Sequence, residues 1–310
     1  MSPLVYGTPP VLPPAPVSAW RGFEVSWSGW DGSFWDLGDA LSGVFLERGG
    51  VEGLAMPPHH AWTGSSPAVH GQYYRGHLVE PRPVFWPVHV YSDAGSVEWV
   101  ERDRAFWRSL QPGRHGAWAV TSPAGGTRRL VCRFVDDGQH SFPVDPARQG
   151  WATYGVSLIA DSPFWEGEPA RRTWSVSDPS LDFYGGAGKA PLFHVSSGSQ
   201  LSSASITNEG DLEAWPVWTV RGPLTSVTVG VDGATVQWNV ALVEGDVLVI
   251  DTDPTVQSAW LNGVDVTAQL GSADFAPIPA GEERPLSLAM SGPAGGSVEA
   301  TIKPRFYRAW

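Results

Sequence analysis

The side chains in this sequence with the most chemistry to offer are its eight histidines and two close acidic pairs. Seven of the histidines precede residue 176: His59 and His60 are adjacent, and His70, His77 and His89 follow within 30 residues. A metal needs ligands that converge, whereas adjacent residues on a strand point to opposite faces, and no Asp or Glu accompanies these histidines at ligand-like spacing. No metal site is predicted. The acidic pairs, Asp136-Asp137-Gly138 and Asp251-Thr252-Asp253, have the composition of an acid–base pair or of calcium ligands. Neither carries the alternating oxygen ligands of a calcium loop, and a turn does not fix two carboxyls at the separation glycoside hydrolysis requires. Both read as turns. No Gly-x-Ser-x-Gly, phosphate-binding loop, His-Glu-x-x-His or dinucleotide fingerprint occurs. The sequence therefore predicts no catalytic residue, no metal and no cofactor.

Aromatic residues are the other candidate for ligand chemistry. Trp215, Trp218, Trp238 and Trp260 could form a sugar-stacking platform, because a flat ring offers its face to pyranose C–H groups. Trp215 and Trp218 are three apart, hence on opposite faces of a straight strand, so only one can join such a platform unless Pro216 bends it. Trp218 and Trp238 are the stacking candidates, against a preferred reading as buried core or protein-interface tryptophans.

The elements that must position these residues are short strands. Trp 17, Gly 36 and Pro 28 against Met 3 in 310 residues predict many turns, little helix and enough apolar material for two domains. In the first half, 20–27 alternates as a strand, and Asp31-Gly32 predicts a two-residue hairpin turn onto 34–37. The aperiodic segment 55–71 predicts a long surface loop, and 72–91 two strand-like pieces around Pro81 and Pro83, confined to an edge or bulge. One amphipathic helix follows, capped by Ser96, with Trp99, Val100, Phe106, Trp107 and Leu110 on its buried face and Gln111-Pro112-Gly113 as its stop. Strands at 116–121 and 128–135 come next, the second turning at Asp137-Gly138 onto 139–144. The single cysteine, Cys132, lies in that second strand, excludes an internal disulfide and reads as a buried thiol.

A polar stretch with Pro169 and Pro179 suggests a boundary, dividing the chain into 1–175, with a proline-rich lead at 1–19, and 176–310. The second part shows strands every 8–12 residues separated by Gly or Asp-Gly, the pattern of a β-sandwich. Net charge is −12. Residues 1–175 hold 14 basic and 17 acidic side chains, and 176–310 hold 6 and 15, so the second part repels a phosphate backbone and nucleic-acid binding is not expected. No basic region followed by an apolar run opens the chain, and no stretch approaches the roughly 20 apolar residues of a membrane span. A soluble protein made in the cytoplasm is expected.

The run Tyr154-Gly155-Val156-Ser157-Leu158-Ile159-Ala160-Asp161-Ser162-Pro163-Phe164-Trp165-Glu166-Gly167 is a strand ending in an aromatic Asp-x-Pro-aromatic turn. Together with the N-terminal hairpin, the 43–57 element and the capped helix, it resembles the distal tail proteins of siphovirus-type bacteriophages. In the second part the resemblance rests on Asn208-Glu209-Gly210 followed by Pro216, the 245–251 strand, Trp260-Leu261-Asn262-Gly263, Phe275-Ala276-Pro277-Ile278-Pro279-Ala280-Gly281 and Lys303-Pro304-Arg305-Phe306-Tyr307. It implies a mostly β protein: an N-terminal β-barrel or sandwich-like domain with one α-helix that packs into a ring, a homohexamer, and a C-terminal galectin-like β-sandwich. It also implies a structural role without catalysis at the virion tail tip, joining the tail tube to the hub, with the tail tube protein, the tape measure protein and hub or baseplate proteins as partners. Candidate interface residues are Trp62, His70 and Tyr73 around the predicted loop, and Asp137 and Gly138 at the predicted hairpin. A carbohydrate-binding host-adhesion module and, more remotely, a cell-wall hydrolase are the alternatives.

Overall fold

A computed structural model describes residues 21–141, 145–176 and 204–310. The proline-rich lead, the end of the predicted 139–144 strand and residues 177–180 of the suggested boundary lie outside the described residues.

In the first part the strands are β1 (Glu24–Ser28), β2 (Phe34–Asp36), β3 (Val44–Leu46), β4 (His59–Ser66), β5 (Val69–Val79), β6 (Arg82–Tyr91), β7 (His115–Thr121), β8 (Thr127–Ser141), β9 (Trp151–Ala160), β10 (Trp165–Glu166) and β11 (Ala170–Ser175). Helix α1 (Ser96–Arg108) follows β6, and a one-turn helix, α2 (Pro146–Gln149), precedes β9. In the second part come β12 (Ser205–Thr207), β13 (Val217–Arg221), β14 (Ser226–Val231), β15 (Ala234–Trp238), β16 (Val247–Asp251), β17 (Ser258–Leu261), β18 (Val264–Asp265), β19 (Ser272–Ala273), β20 (Glu283–Pro285), β21 (Ala289–Ser291), β22 (Ser297–Ile302) and β23 (Arg305–Phe306). The protein is mostly β, as its composition predicts.

The first sheet runs β2-β1-β7-β8-β9-β6-β3, with β10 and β23 attached beside β8, and is nearly closed and barrel-like. Its interior follows from alternation. Along β6, Val84, Trp86, Val88 and Val90 are buried while their odd-numbered neighbours face outward. Trp27, Trp86, Trp118 and Trp165 meet in a chain of ring contacts at 5.2, 5.3 and 5.0 Å, all four essentially inaccessible. Each contributes on the order of 4 kcal/mol of gross transfer free energy. Gly116 makes room for this stack, because a Cβ there would lie 2.2 Å from the Trp27 ring and 2.7 Å from the Ser28 carbonyl. Backbone cannot yield, so Gly116→Ala should lower stability by about 1–3 kcal/mol in urea unfolding. An unchanged midpoint would show that Trp27 is not held against β7.

The second core is a sandwich. Trp218, Val220, Leu248, Ile250, Val298, Ala300 and Ile302 project from the sheet β11-β22-β13-β16-β17-β18. Val227, Val229, Val231, Val236 and Trp238 come from β19-β15-β14-β21, and both sets form one buried cluster. The chain links the two parts twice. β11 leaves the first part and pairs along its length with β22, and β23 returns to pair with β10, setting Phe306 opposite Trp165.

Several expectations are corrected. Segment 55–71 is not a loop: residues 59–79 form a two-stranded antiparallel arm, β4 with β5. It shows no sequence period because neither face is buried. β6 is not an edge strand although it contains Pro83 and Pro87, since it pairs with β9 throughout. Phe85 donates its N–H to Glu52, on the side away from β9, so the odd-numbered prolines lack only N–H groups that the β9 ladder does not use. Asp137-Gly138 is not a hairpin turn but part of a bulged stretch of β8, which continues along β9. The first hairpin closes through residues 29–33, with Ser28 opposite Phe34, not through two residues. Gly95 occupies the N-cap of α1, while the Ser96 hydroxyl donates to the Ala147 carbonyl at 2.6 Å and ties α1 to α2.

Candidate assembly surfaces

Among the described residues the arm pairs with no other strand, and it carries exposed Trp62, Tyr73, Tyr74 and Leu78. His60 stands opposite Leu78, and Trp62 follows two residues on, so the three share a face, with the His60 and Trp62 rings 4.9 Å apart. Trp62 itself is 48% exposed, an uncommon state for so large an apolar ring. Tyr73 is steadied by Arg75, whose guanidinium donates to its hydroxyl at 2.9 Å and lies over its ring. His70 is exposed near the arm tip. At the base of the arm, His59, Tyr74, His77 and Val79 line a groove of about 290 Å³ with Met56, Pro57 and Tyr307. Trp62, His70 and Tyr73 thus belong to one projecting element. Asp137 and Gly138 belong to another, the β8–β9 ladder, where Gly138 is exposed and Asp137 half-buried.

The chemistry-bearing residues have structural surroundings. The Asp251 and Asp253 carboxylates accept backbone N–H groups of Asp253 and Thr255 at 3.0 and 2.9 Å, the geometry of polar turns. His89 lies 3.4 Å from the Glu47 carboxylate, which also accepts the Thr153 hydroxyl. Among the described residues no group of three His, Cys, Asp or Glu is placed to hold a metal, and no helix is long and apolar enough to cross a membrane. Cys132 is fully buried, and burial pushes its thiol up to about 12, far from a nucleophile's range. Trp218 and Trp238 are also fully buried, so neither offers a face to a sugar; their place in the sandwich core accounts for them.

Two polar groups, one buried and one half-buried, escaped sequence reasoning. Arg82, 1% exposed, donates from Nε to the Pro163 carbonyl at 2.7 Å, from Nη1 to Gly53 at 2.7 Å and to Ala55, and from Nη2 to Tyr307 at 2.6 Å. The Asp-x-Pro-aromatic turn thereby meets the C-terminal segment. The same turn places Asp161 in a two-pronged ion pair with Arg133, at 2.9 and 3.1 Å, and Phe164 against the Tyr307 ring. The second group is Asp103 on α1, which accepts the Tyr154 hydroxyl at 2.6 Å and a Trp107 side-chain bond; burial raises its carboxyl above the usual range. A carboxyl raised on folding binds its proton more tightly in the folded state, so its stability contribution falls as pH rises through the folded value. Asp103→Asn keeps an acceptor for both donors and removes the charge. It should raise the thermal midpoint at pH 7.5, with the gain shrinking as acid protonates the carboxyl; a loss at pH 7.5 would refute this reading.

No family model matches the sequence, and no curated protein matches it. The fold, however, is one found among solved phage hub and baseplate proteins. The chain is similar to the Dit protein of phage SPP1, described as a paradigm of the hub adsorption apparatus in phages infecting Gram-positive hosts, with a TM-score of 0.61 and 11% identity over 92% of this chain and 100% of that one. It is also similar to a chain of the phage P2 baseplate in its activated, calcium-containing conformation, with a TM-score of 0.54 and 10% identity over 92% and 98% of the two chains. The resemblance drawn from the sequence is matched at the level of the fold.

Proposed function

We propose that this protein is a structural component of a phage tail tip, a distal tail protein that forms a ring by self-association and joins the tail tube to the hub. The observation that carries the reading is the extent of the fold likeness, which takes in 92% of this chain and the whole of the SPP1 Dit protein. Residues 1–175 are proposed as the ring-forming unit and 176–310 as a galectin-like sandwich outside it. The sandwich also draws on β11, so a stand-alone version would have to begin no later than Ala170. Six copies, and contacts with the tube, tape measure and hub proteins, belong to the same proposal. A ring needs one heterologous interface repeated by rotation, and an arm bearing exposed aromatic rings suits that need.

Mass photometry of the purified protein at micromolar concentration, with negative-stain imaging of the native tail, tests this. A closed ring in either supports it; monomer alone in solution together with a ringless tail tip counts against it. Trp62→Ala tests the arm specifically. The substitution should weaken self-association by roughly 2 kcal/mol or more, the loss typical of an aromatic anchor, while leaving the monomer's thermal midpoint in place. An unchanged assembly threshold would remove the arm from the interface.

A further inference from the structure

We infer that the outer face of the β13–β16–β22 sheet, where it meets the first part of the chain, is a binding surface for a neutral oligosaccharide. The argument starts from parity. Trp218, Ile250 and Ala300 point into the sandwich core, so Val217, Asp251 and Thr301, which pair across the three strands as one row, point outward. Trp215, two residues before Val217 and half-buried, keeps that outward phase and lines a cleft of about 250 Å³ with this row. Glu166, Lys303 and Arg305 close the cleft from the side of the β10–β23 junction.

A second ring stands beyond it. Trp260 in β17 pairs with Val249, two residues from Asp251 on the opposite side from Trp215, and is 43% exposed. The two residues are offset by about 14 Å along the strands and about 10 Å across them, a diagonal of about 17 Å that a short oligosaccharide spans. Between them the face is polar: Thr219, Asp251, Glu299 and Thr301 interrupt the apolar surface. Asp251 Oδ1 accepts the Asp253 amide N–H, and its Oδ2 has no protein partner among the described residues. Isolated rings that stack on pyranose C–H faces, with carboxylates and cations between them to take hydroxyl groups, are what a saccharide needs. Glu166, Asp251 and Asp253 outnumber Lys303 and Arg305, which disfavours an anionic polymer. A protein partner would call for a continuous apolar centre that this face lacks.

The test is titration of the full chain with neutral trisaccharides of glucose, galactose, rhamnose and N-acetylglucosamine, read by tryptophan fluorescence and calorimetry. At least one should bind saturably. Trp215→Ala and Trp260→Ala should each weaken that binding roughly tenfold. Asp251→Asn serves as the variant that leaves packing intact and should also weaken it. Absence of binding to every sugar at millimolar concentration overturns the inference, and so does binding that persists undiminished in the Trp260→Ala and Asp251→Asn proteins.

Discussion

Arg82→Met should cost about 3–5 kcal/mol of stability, among the largest effects of any single change in this chain. The guanidinium is buried with no carboxylate among its partners in the described residues, and burial lowers it to about 10, so it remains charged at neutral pH. Four carbonyls, from Gly53, Ala55, Pro163 and Tyr307, supply the compensation. Methionine fills much of the volume but leaves all four without this donor, and each buried carbonyl that finds no substitute costs about 1–3 kcal/mol. Arg82→Lys keeps the charge but not the planar fork, so it should fall between the two. Urea unfolding followed by near-ultraviolet circular dichroism measures both. A loss below about 1 kcal/mol for Arg82→Met would mean that water replaces the guanidinium at little cost, and that the knot does not fasten the fold.

The parts of this fold that the sequence discloses are those in which burial alternates. In β13 and β22, the buried Trp218, Val220, Val298 and Ala300 interleave with half-exposed neighbours, so the pattern and the strand coincide. The face of α1 bearing Trp99 and Phe106 is legible for the same reason. The arm is not, because an element solvated on both sides has no apolar phase to detect, and His, Gly and Ser within it resemble a loop. Asp137-Gly138 misleads in the opposite way. Its local preference is for a tight turn, and the long-range ladder with β9 overrides it.

The functional surfaces divide along the same line. Trp62 stands out in sequence because its neighbours are small or polar, whereas Arg82 looks like any surface arginine, and its four acceptors come from three distant stretches of chain. The outer sheet face required both kinds of information. Sequence parity places Trp215 and Trp218 on opposite sides, but only the burial of Trp218 decides which of them faces outward. The Asp-x-Pro-aromatic turn, the sequence feature that most closely resembles the distal tail proteins, lies where the two parts of the chain are fastened together. It supplies Pro163 to Arg82, Phe164 to Tyr307 and Trp165 to the tryptophan stack.

That junction carries the second large effect. Removing residues 305–310 should convert one cooperative thermal transition into two, with the first part of the chain losing about 4 kcal/mol or more. The segment contributes Phe306 and Ala309 to the first core, lays Phe306 under the Arg128 guanidinium at 3.6 Å and brings the Tyr307 carbonyl to Arg82. Its backbone accepts from Asp211 through the Arg305 carbonyl and donates to Leu54 from Ala309. Phe306, half-buried against the first core, contributes about 1–2 kcal/mol, and the orphaned Arg82 bond and the loss of buried Ala309 add to that. The sandwich core contains none of these side chains, apart from the strand β22 that precedes them, so its own transition should shift less. Differential scanning calorimetry distinguishes the outcomes. A single transition moved downward as a whole would show that β11 and β22 couple the two cores by themselves, and would leave the C-terminal segment as packing, not as the fastening between them.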